Sequence, residues 1–228
     1  MHIPDGYLGP ATCGFFYLAM APIWALASKV VKKTLSAKQV PLLAIGAAFS
    51  FVIMMFNVPI PGGTTGHAVG GVLVAILLGP WAACIAITVA LVIQALLFGD
   101  GGITAIGANC FNMAFVLPFA GYYIYKAISY NSPIASNRRV IAAGVAGYVA
   151  LNLAAALTGF EFGIQPLLHR AASGQTLYCP YGVNVALPVM LGEHLLAFGW
   201  VEGIVTALVI KYLQKQDLSL LEEGKAQS

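Results

Sequence analysis

Charge is what this chain has least of. Only 8% of its 228 residues are Asp, Glu, Lys or Arg, while 60% are hydrophobic and the mean hydropathy is +0.86. A soluble domain carries about 25% charged residues to wet its surface, so a water-soluble globule is excluded, and a disordered chain with it. From Gln39 to Gly99 there are 61 consecutive residues without one of the four charged types. That run is long enough for more than two crossings of a bilayer core about 30 Å thick. The fold class is therefore an all-α, multi-pass membrane protein. Cysteine is scarce too: Cys13, Cys84, Cys110 and Cys179 stand singly, with no CxxC. They read as small apolar helix residues, with a Cys110–Cys179 disulfide as the alternative. A net charge of +3, in short basic clusters, gives no support for nucleic-acid binding. Also missing are a glycine-rich phosphate loop, a Gly-x-Ser-x-Gly elbow and a His-Glu-x-x-His helix. The chain thus carries no visible energy-coupling machinery and is not expected to be an enzyme. Its opening, Met1-His2-Ile3-Pro4-Asp5-Gly6, lacks the basic n-region and small-residue cleavage site of a signal peptide. Met1 and His2 are expected to remain in the mature protein.

What is present is a series of apolar stretches at about 10–29, 41–58, 67–79, 81–98, 107–129, 138–159 and 184–213. Breakers separate them, among them Pro59-x-Pro61-Gly62-Gly63, Gly79-Pro80, Gly99-Asp100-Gly101-Gly102 and Asn131-Ser132-Pro133. The third stretch is too short to cross unaided and reads as a half-helix continued by extended chain. Basic clusters at Lys29, Lys32, Lys33 and Lys38, at Lys126, Arg138 and Arg139, and at Lys211 and Lys215 belong in the cytoplasm by the positive-inside rule. An even number of crossings must separate Lys38 from Lys126, which holds only when the short stretch counts. Seven crossings follow, with the N-terminus outside and the C-terminus cytoplasmic. Residues 1–213 form one membrane domain and 214–228 a polar cytoplasmic tail, of which Gln216 to Ser228 is expected to fray. Residues 1–9, 59–66, 99–106 and 160–183 then share the outer face.

His2 carries the most chemistry. A histidine in second position offers the Met1 amine, the His2 backbone nitrogen and His2 Nδ1 in sequence, closing a five-membered and a six-membered chelate ring in one plane. Tetragonal nitrogen sites suit Ni(II) or Cu(II), whereas zinc prefers a tetrahedron. His67 ends the glycine-rich run Gly62-Gly63-Thr64-Thr65-Gly66 at the start of the third stretch and is placed to give a fourth nitrogen. Binding through such a set should weaken below roughly pH 6, because amine and imidazoles must be deprotonated. The polar interruption from Gln94 to Asn109 could position His67 or the N-terminal segment through hydrogen bonds, or be an ordinary connection. Glu193 and His194 lie within the last span, where ionisable residues are functional suspects. Glu202 follows nine positions later, half a turn out of phase, so the two glutamates should not share a site. His169, in the long outer loop, is a weaker candidate ligand.

Met1-His2-Ile3-Pro4-Asp5-Gly6, Gly63-Thr64-Thr65-Gly66-His67, Leu78-Gly79-Pro80-Trp81-Ala82 and Gln94 to Gly102, in that order and spacing, resemble the CbiM/NikM family. These are the substrate-capture S components of energy-coupling-factor (ECF) transporters for nickel and cobalt, and the resemblance covers residues 1 to about 213. It implies a six-helix core plus an additional N-terminal helix, and an N-terminal segment folded back among the helices. Carried over residue by residue, it implies metal ligation by Met1, His2 and His67. Asp5, Thr64, Thr65, Asp100 and Asn109 are candidates for supporting those ligands. It implies as partners a transmembrane coupling (T) subunit and two cytosolic ATPases, with a small additional membrane subunit as a further candidate, all in the cell (inner) membrane. Ala21-x-x-x-Ala25 could pack against the coupling subunit. The transported substrate would be Ni(II), with Co(II) as the alternative and no organic cofactor. Cobalt members often begin Met-His-Ile-Met-Glu-Gly, so Pro4-Asp5 favours nickel here. The competing readings are a cobalt-specific S component serving cobalamin synthesis, a stand-alone divalent-cation carrier or channel, and an intramembrane enzyme built on Glu193 and His194.

Overall fold

The computed structural model describes residues 1–60 and 64–223. Pro61-Gly62-Gly63 of the expected breaker and the end of the tail, 224–228, lie outside the described residues. Each stretch expected to be helical is helical: α1 Pro10–Thr34, α2 Ala37–Met55, α3 Gly71–Leu78, α4 Pro80–Phe98, α5 at 106–128, α6 Asn137–Leu168 and α7 Val183–Gln216. A short α8, Ser219–Glu223, follows. Five of them (α1, α2, α4, α6 and α7) are long and apolar enough to cross a membrane. The protein is an all-α, multi-pass membrane protein of the cell membrane.

The helices start and stop where backbone chemistry requires. Proline stands at the first residue of α1 and of α4, and in α2 Pro41 follows directly on Val40, where the opening 3-10 turn passes into α-helix; at such positions its missing N–H costs nothing. Gly70 (φ +75°) and Gly79 (φ +82°) bracket α3 in conformations an L side chain resists. Three π-helical segments interrupt the bundle, at Gln94–Phe98 in α4, Cys110–Val116 in α5 and His194–Phe198 in α7. Each inserts a residue into the helical repeat and re-aims the side chains beside it.

Two expectations need correction, and one open alternative is decided. The short helix begins at Gly71, not at His67, because residues 64–66 are taken into a strand, β2 Thr64–Gly66, paired antiparallel with β1 Val58–Ile60. His67 therefore sits in extended chain between hairpin and helix. Part of the stretch from Gln216 that was expected to fray is helical: Ser219–Glu223 form α8, and Leu221 is packed into the core. All four cysteines are buried free thiols, so Cys110 and Cys179 are not joined.

The tightest packing joins α6 and α7, where glycines let the backbones meet. Gly147 lies against Glu202 O and the Gly203 Cα, and a Cβ on Gly203 would collide with Gly144 O. Without a hydrophobic drive between lipid-immersed helices, such close van der Waals contact is what holds them. Gly203→Val should lower the thermal unfolding midpoint of the purified chain by several degrees, on the scale of an overpacking cost of about 1–3 kcal/mol. Gly192→Val, where a Cβ would meet nothing within 4 Å, should leave it near wild type.

Candidate metal centre

The N-terminal segment turns back from α1 and enters the bundle. Met1, His2 and Ile3 are 0%, 3% and 0% exposed, so the chain terminus and its neighbouring polar groups lie where water does not reach. The surrounding chain meets that cost by hydrogen bonding. Asn109 grips Ile3 from both sides, its Oδ1 accepting from Ile3 N at 2.8 Å and its Nδ2 donating to Ile3 O at 3.1 Å. Gly102 N donates to Ile3 O at 2.8 Å, and Thr64 Oγ1 donates to His2 O at 3.1 Å. Further out, Cys179 N donates to Tyr7 O and Gly9 N to Gln165 Oε1. Gly101 and Gly102 make room for this approach: a Cβ on the first would crowd the His2 ring, and one on the second would run into the Asp5 backbone.

Asp5 is exposed and does not face the buried tip. Its carboxylate accepts from Ile103 N, Thr104 N and the Thr104 hydroxyl, tying the segment to the loop ahead of α5. The Thr104 hydroxyl bond, with the two backbone amides, holds the Asp5 carboxyl below its usual range against a smaller effect of burial.

At the tip, two imidazoles lie stacked, with ring centroids 4.4 Å apart and planes at 29°. Their hydrogen bonds fix the tautomers. Gln94 spends its amide N–H on Phe51 O, so its Oε1 can only accept, and His2 Nε2–H donates to it at 3.2 Å. His67 Nδ1–H donates to Ala68 O at 3.0 Å. That leaves lone pairs on His2 Nδ1 and His67 Nε2, both buried and without a hydrogen bond among the described residues. Neither the Met1 amine nor the His2 amide is hydrogen-bonded among the described residues. Burial lowers the Met1 amine to about 5, with the carboxylates of Glu193 and then Asp100 pulling the other way. Burial, and then the neighbouring amine, lowers His2 to about 3. Both groups are thus neutral at pH 7 and carry lone pairs.

Asp100 stands 3.3 Å from His2 Nδ1 and is held by Asn57 Nδ2 at 3.0 and 3.1 Å. A carboxylate oxygen facing an imidazole lone pair is repulsive, and a cation nearby would relieve it. Thr65 Oγ1 is buried and has no hydrogen-bond partner among the described residues. His169 does not join the group; it packs against Tyr178 and lies 3.5 Å from Thr12 Oγ1. Side chains alone do not make a cation site here: among the described residues no group of three or more His, Cys, Asp or Glu is arranged to hold a metal. Any such site needs the backbone nitrogens of the terminus.

Glu202 is the residue whose part the sequence hid. It is 0% exposed, and its Oε2 accepts from Val69 N and Gly70 N, each at 2.8 Å, bracing the segment that carries His67. Glu193 and His194 also lie on this side of α7, His194 Nδ1–H donating to Met190 O at 2.7 Å while Nε2 is left without a partner. The half-turn expected between Glu193 and Glu202 is corrected by the π segment between them. Removing one α-helical step of about 100° from nine leaves them about 80° apart rather than 180°. The usable signal was the rarity of an acid inside a span; its partner, more than 130 residues away, was not readable. Asn57 was missed for a plainer reason, being one polar residue at a helix end.

A family model described as the cobalt uptake substrate-specific transmembrane region, CbiM, matches residues 2–220. The chain is 52% identical to a fused nickel transport protein, NikMN, of Rhodobacter capsulatus over 99% of its own length. It is 51% identical to a probable fused nickel transport protein, LarMN, of Lactiplantibacillus plantarum over 94% of its length. It spans 65% of the length of each of these relatives. The crystal structure of a transition metal transporter superposes with a TM-score of 0.90 at 51% identity, covering 100% of both chains. These are transport proteins rather than enzymes, and this chain belongs to the CbiM family of substrate-specific transmembrane components.

Proposed function

We propose that this chain is the metal-capture subunit of an ATP-driven, ECF-type nickel uptake transporter. In this reading Ni(II) is bound by four nitrogens: the Met1 amine, the His2 backbone nitrogen, His2 Nδ1 and a His67 ring nitrogen. The observation that carries it is the pair of stacked, buried imidazoles whose free nitrogens, His2 Nδ1 and His67 Nε2, lie beside a buried terminal amine. A planar set of strong nitrogen donors suits low-spin Ni(II) better than Co(II). Asn109 and Thr64 would hold the N-terminal ligands in place, Gln94 would fix the His2 tautomer, and Asp100 would offset the charge. The seven-crossing topology, N-terminus outside and C-terminus cytoplasmic, belongs to the same reading. It takes α3, about 12 Å long, together with the hairpin as one crossing. So does partnership with a coupling subunit and two cytosolic ATPases.

Elemental analysis and absorption spectroscopy of the purified chain with its native N-terminus are the direct test. One nickel per chain with a yellow square-planar band is expected. Affinity should fall by more than about 100-fold in His2→Ala, in His67→Ala, and when residues are grafted ahead of Met1. A grafted chain that binds nickel with unchanged affinity and spectrum would sink the chelate.

The pH dependence has a definite sign. Displacing the His2 amide proton releases one proton at every working pH, so affinity should rise about tenfold per unit. Below about 5 a proton must also leave the Met1 amine, and the slope should approach two per unit; the sequence alone had placed that break near pH 6. Docking of the apo segment follows the same direction. The amine holds its proton below about 8 when free and below about 5 when buried, so docking strengthens as pH rises through that window and loosens as it falls. Nickel competition titrations from pH 5 to 8 check this, and a flat profile contradicts the ligand set.

Glu202 gives a separate test of how His67 is held. Glu202→Ala should weaken nickel binding about 10–100-fold, the usual cost of losing a group that orients a ligand. Glu202→Gln, which keeps an oxygen to accept from Val69 and Gly70, should recover most of it, with the absorption band unmoved. Wild-type affinity in Glu202→Ala would remove the residue from the account.

A further inference from the structure

Arg139 at the start of α6 and Gly163 near its far end, close to where Gln165 takes the Gly9 amide, are separated by about 36 Å of helix. At the Arg139 end, remote from the two histidines, a cavity of about 560 Å³ opens between α5, the 129–133 connection and α8. Its walls include Lys126, Arg139, Tyr122, Tyr125 and Tyr130. Arg139 is 8% exposed, and among the described residues no carboxylate pairs with it or with Lys126. Its Nε donates to Ser132 O at 3.1 Å and Pro133 O at 3.2 Å, Nη2 to Ser132 O at 3.0 Å, and Nη1 to the Tyr125 hydroxyl at 3.0 Å. A guanidinium has five N–H groups, so two remain. Lys126 Nζ lies 5.6 Å from the Tyr122 ring centre, a cation over an aromatic face.

Among the described residues this buried guanidinium has no carboxylate partner, and with donors to spare it suits an anion with several oxygens. Phosphate fits, because two of its oxygens match the planar fork while the lysine supplies a point charge. We propose that this cavity binds the phosphate of an anionic phospholipid headgroup, at the membrane surface opposite the metal centre, with Lys126 and Arg139 as the phosphate-binding pair. The setting favours lipid as the source. Tyr123 and Tyr130 are 62% and 71% exposed beside the cavity, as in the aromatic belts at membrane interfaces. Basic pockets between membrane helices are a recurrent form of headgroup site. The proposal stands whether or not the other end binds nickel.

The test is thermal unfolding of the full chain in neutral detergent, titrated with phosphatidylglycerol, phosphatidylcholine or inorganic phosphate. Phosphatidylglycerol should raise the midpoint saturably by roughly 3–5 °C, and phosphatidylcholine should not. Lys126→Ala and Arg139→Lys, the latter keeping charge but losing the fork, should each weaken the response about tenfold. Lys126 makes no side-chain hydrogen bond among the described residues, so its variant decides the matter should Arg139→Lys fail to fold. The same saturable, Lys126-dependent shift with inorganic phosphate alone keeps the site and makes its ligand the free ion. No shift, an equal shift with phosphatidylcholine, or a phosphatidylglycerol shift unchanged by Lys126→Ala overturns the proposal.

Discussion

A chain terminus drawn into an apolar interior has to find a partner for every polar group it brings. That requirement organises this protein. Met1, His2 and Ile3 enter a space without water, where Asn109, Gly102 and Thr64 are placed to receive their backbone groups, and Gln165 and Cys179 hold the chain further out. An unpaired buried amide or carbonyl costs about 1–3 kcal/mol, so these contacts decide whether the segment docks at all. Against that background the unpaired nitrogens at the tip stand out. The carbonyls of His2 and Ile3 are satisfied, while the nitrogens that the proposed chelate would use have no hydrogen bond to a second residue among the described residues.

Three of the helices are interrupted by π segments close to this region. One turns Gln94 towards His2, the second follows directly on Asn109, and the third begins at His194. In each case a residue next to the bulge bears on the N-terminal segment or on the side of α7 that faces it. An unperturbed helix would carry these side chains about 100° further round with each extra residue. The bulges are therefore the local device by which apolar crossing helices present polar groups to one point.

This also explains what could and could not be read from the residues. Charge-free stretches, prolines at helix starts and glycines at breaks are local signals, and the helical stretches they imply are present. His2 and His67 were legible because their chemistry depends on position in the chain, next to a free terminus and after a glycine-rich run. The β1–β2 hairpin was not, since strands of three residues have no periodicity to detect. Its formation moves His67 out of a helix and into extended chain. A bulge is equally silent, because a one-residue shift of phase is chosen by tertiary packing. Glu202 shows the consequence: counting along an ideal helix turned it away from Glu193, while the real helix brings it under Val69 and Gly70.

The proposed ligand set differs from a cage of carboxylates in how it lets go. Three of its four nitrogens belong to two adjacent residues, and those residues are held by a few hydrogen bonds, each with a net worth of about 1 kcal/mol. Undocking the N-terminal segment would remove all three donors together and leave His67 as a single weak ligand. Tight capture and complete release then need no graded loosening of the coordination sphere; they need one segment that is either in or out. Glu202 matters to this because it braces His67 from α7, independently of the moving segment. In this reading His67 is tied to α7 through Glu202, and the other three donors are tied to each other and, through His2 and Ile3, to Gln94, Asn109, Gly102 and Thr64.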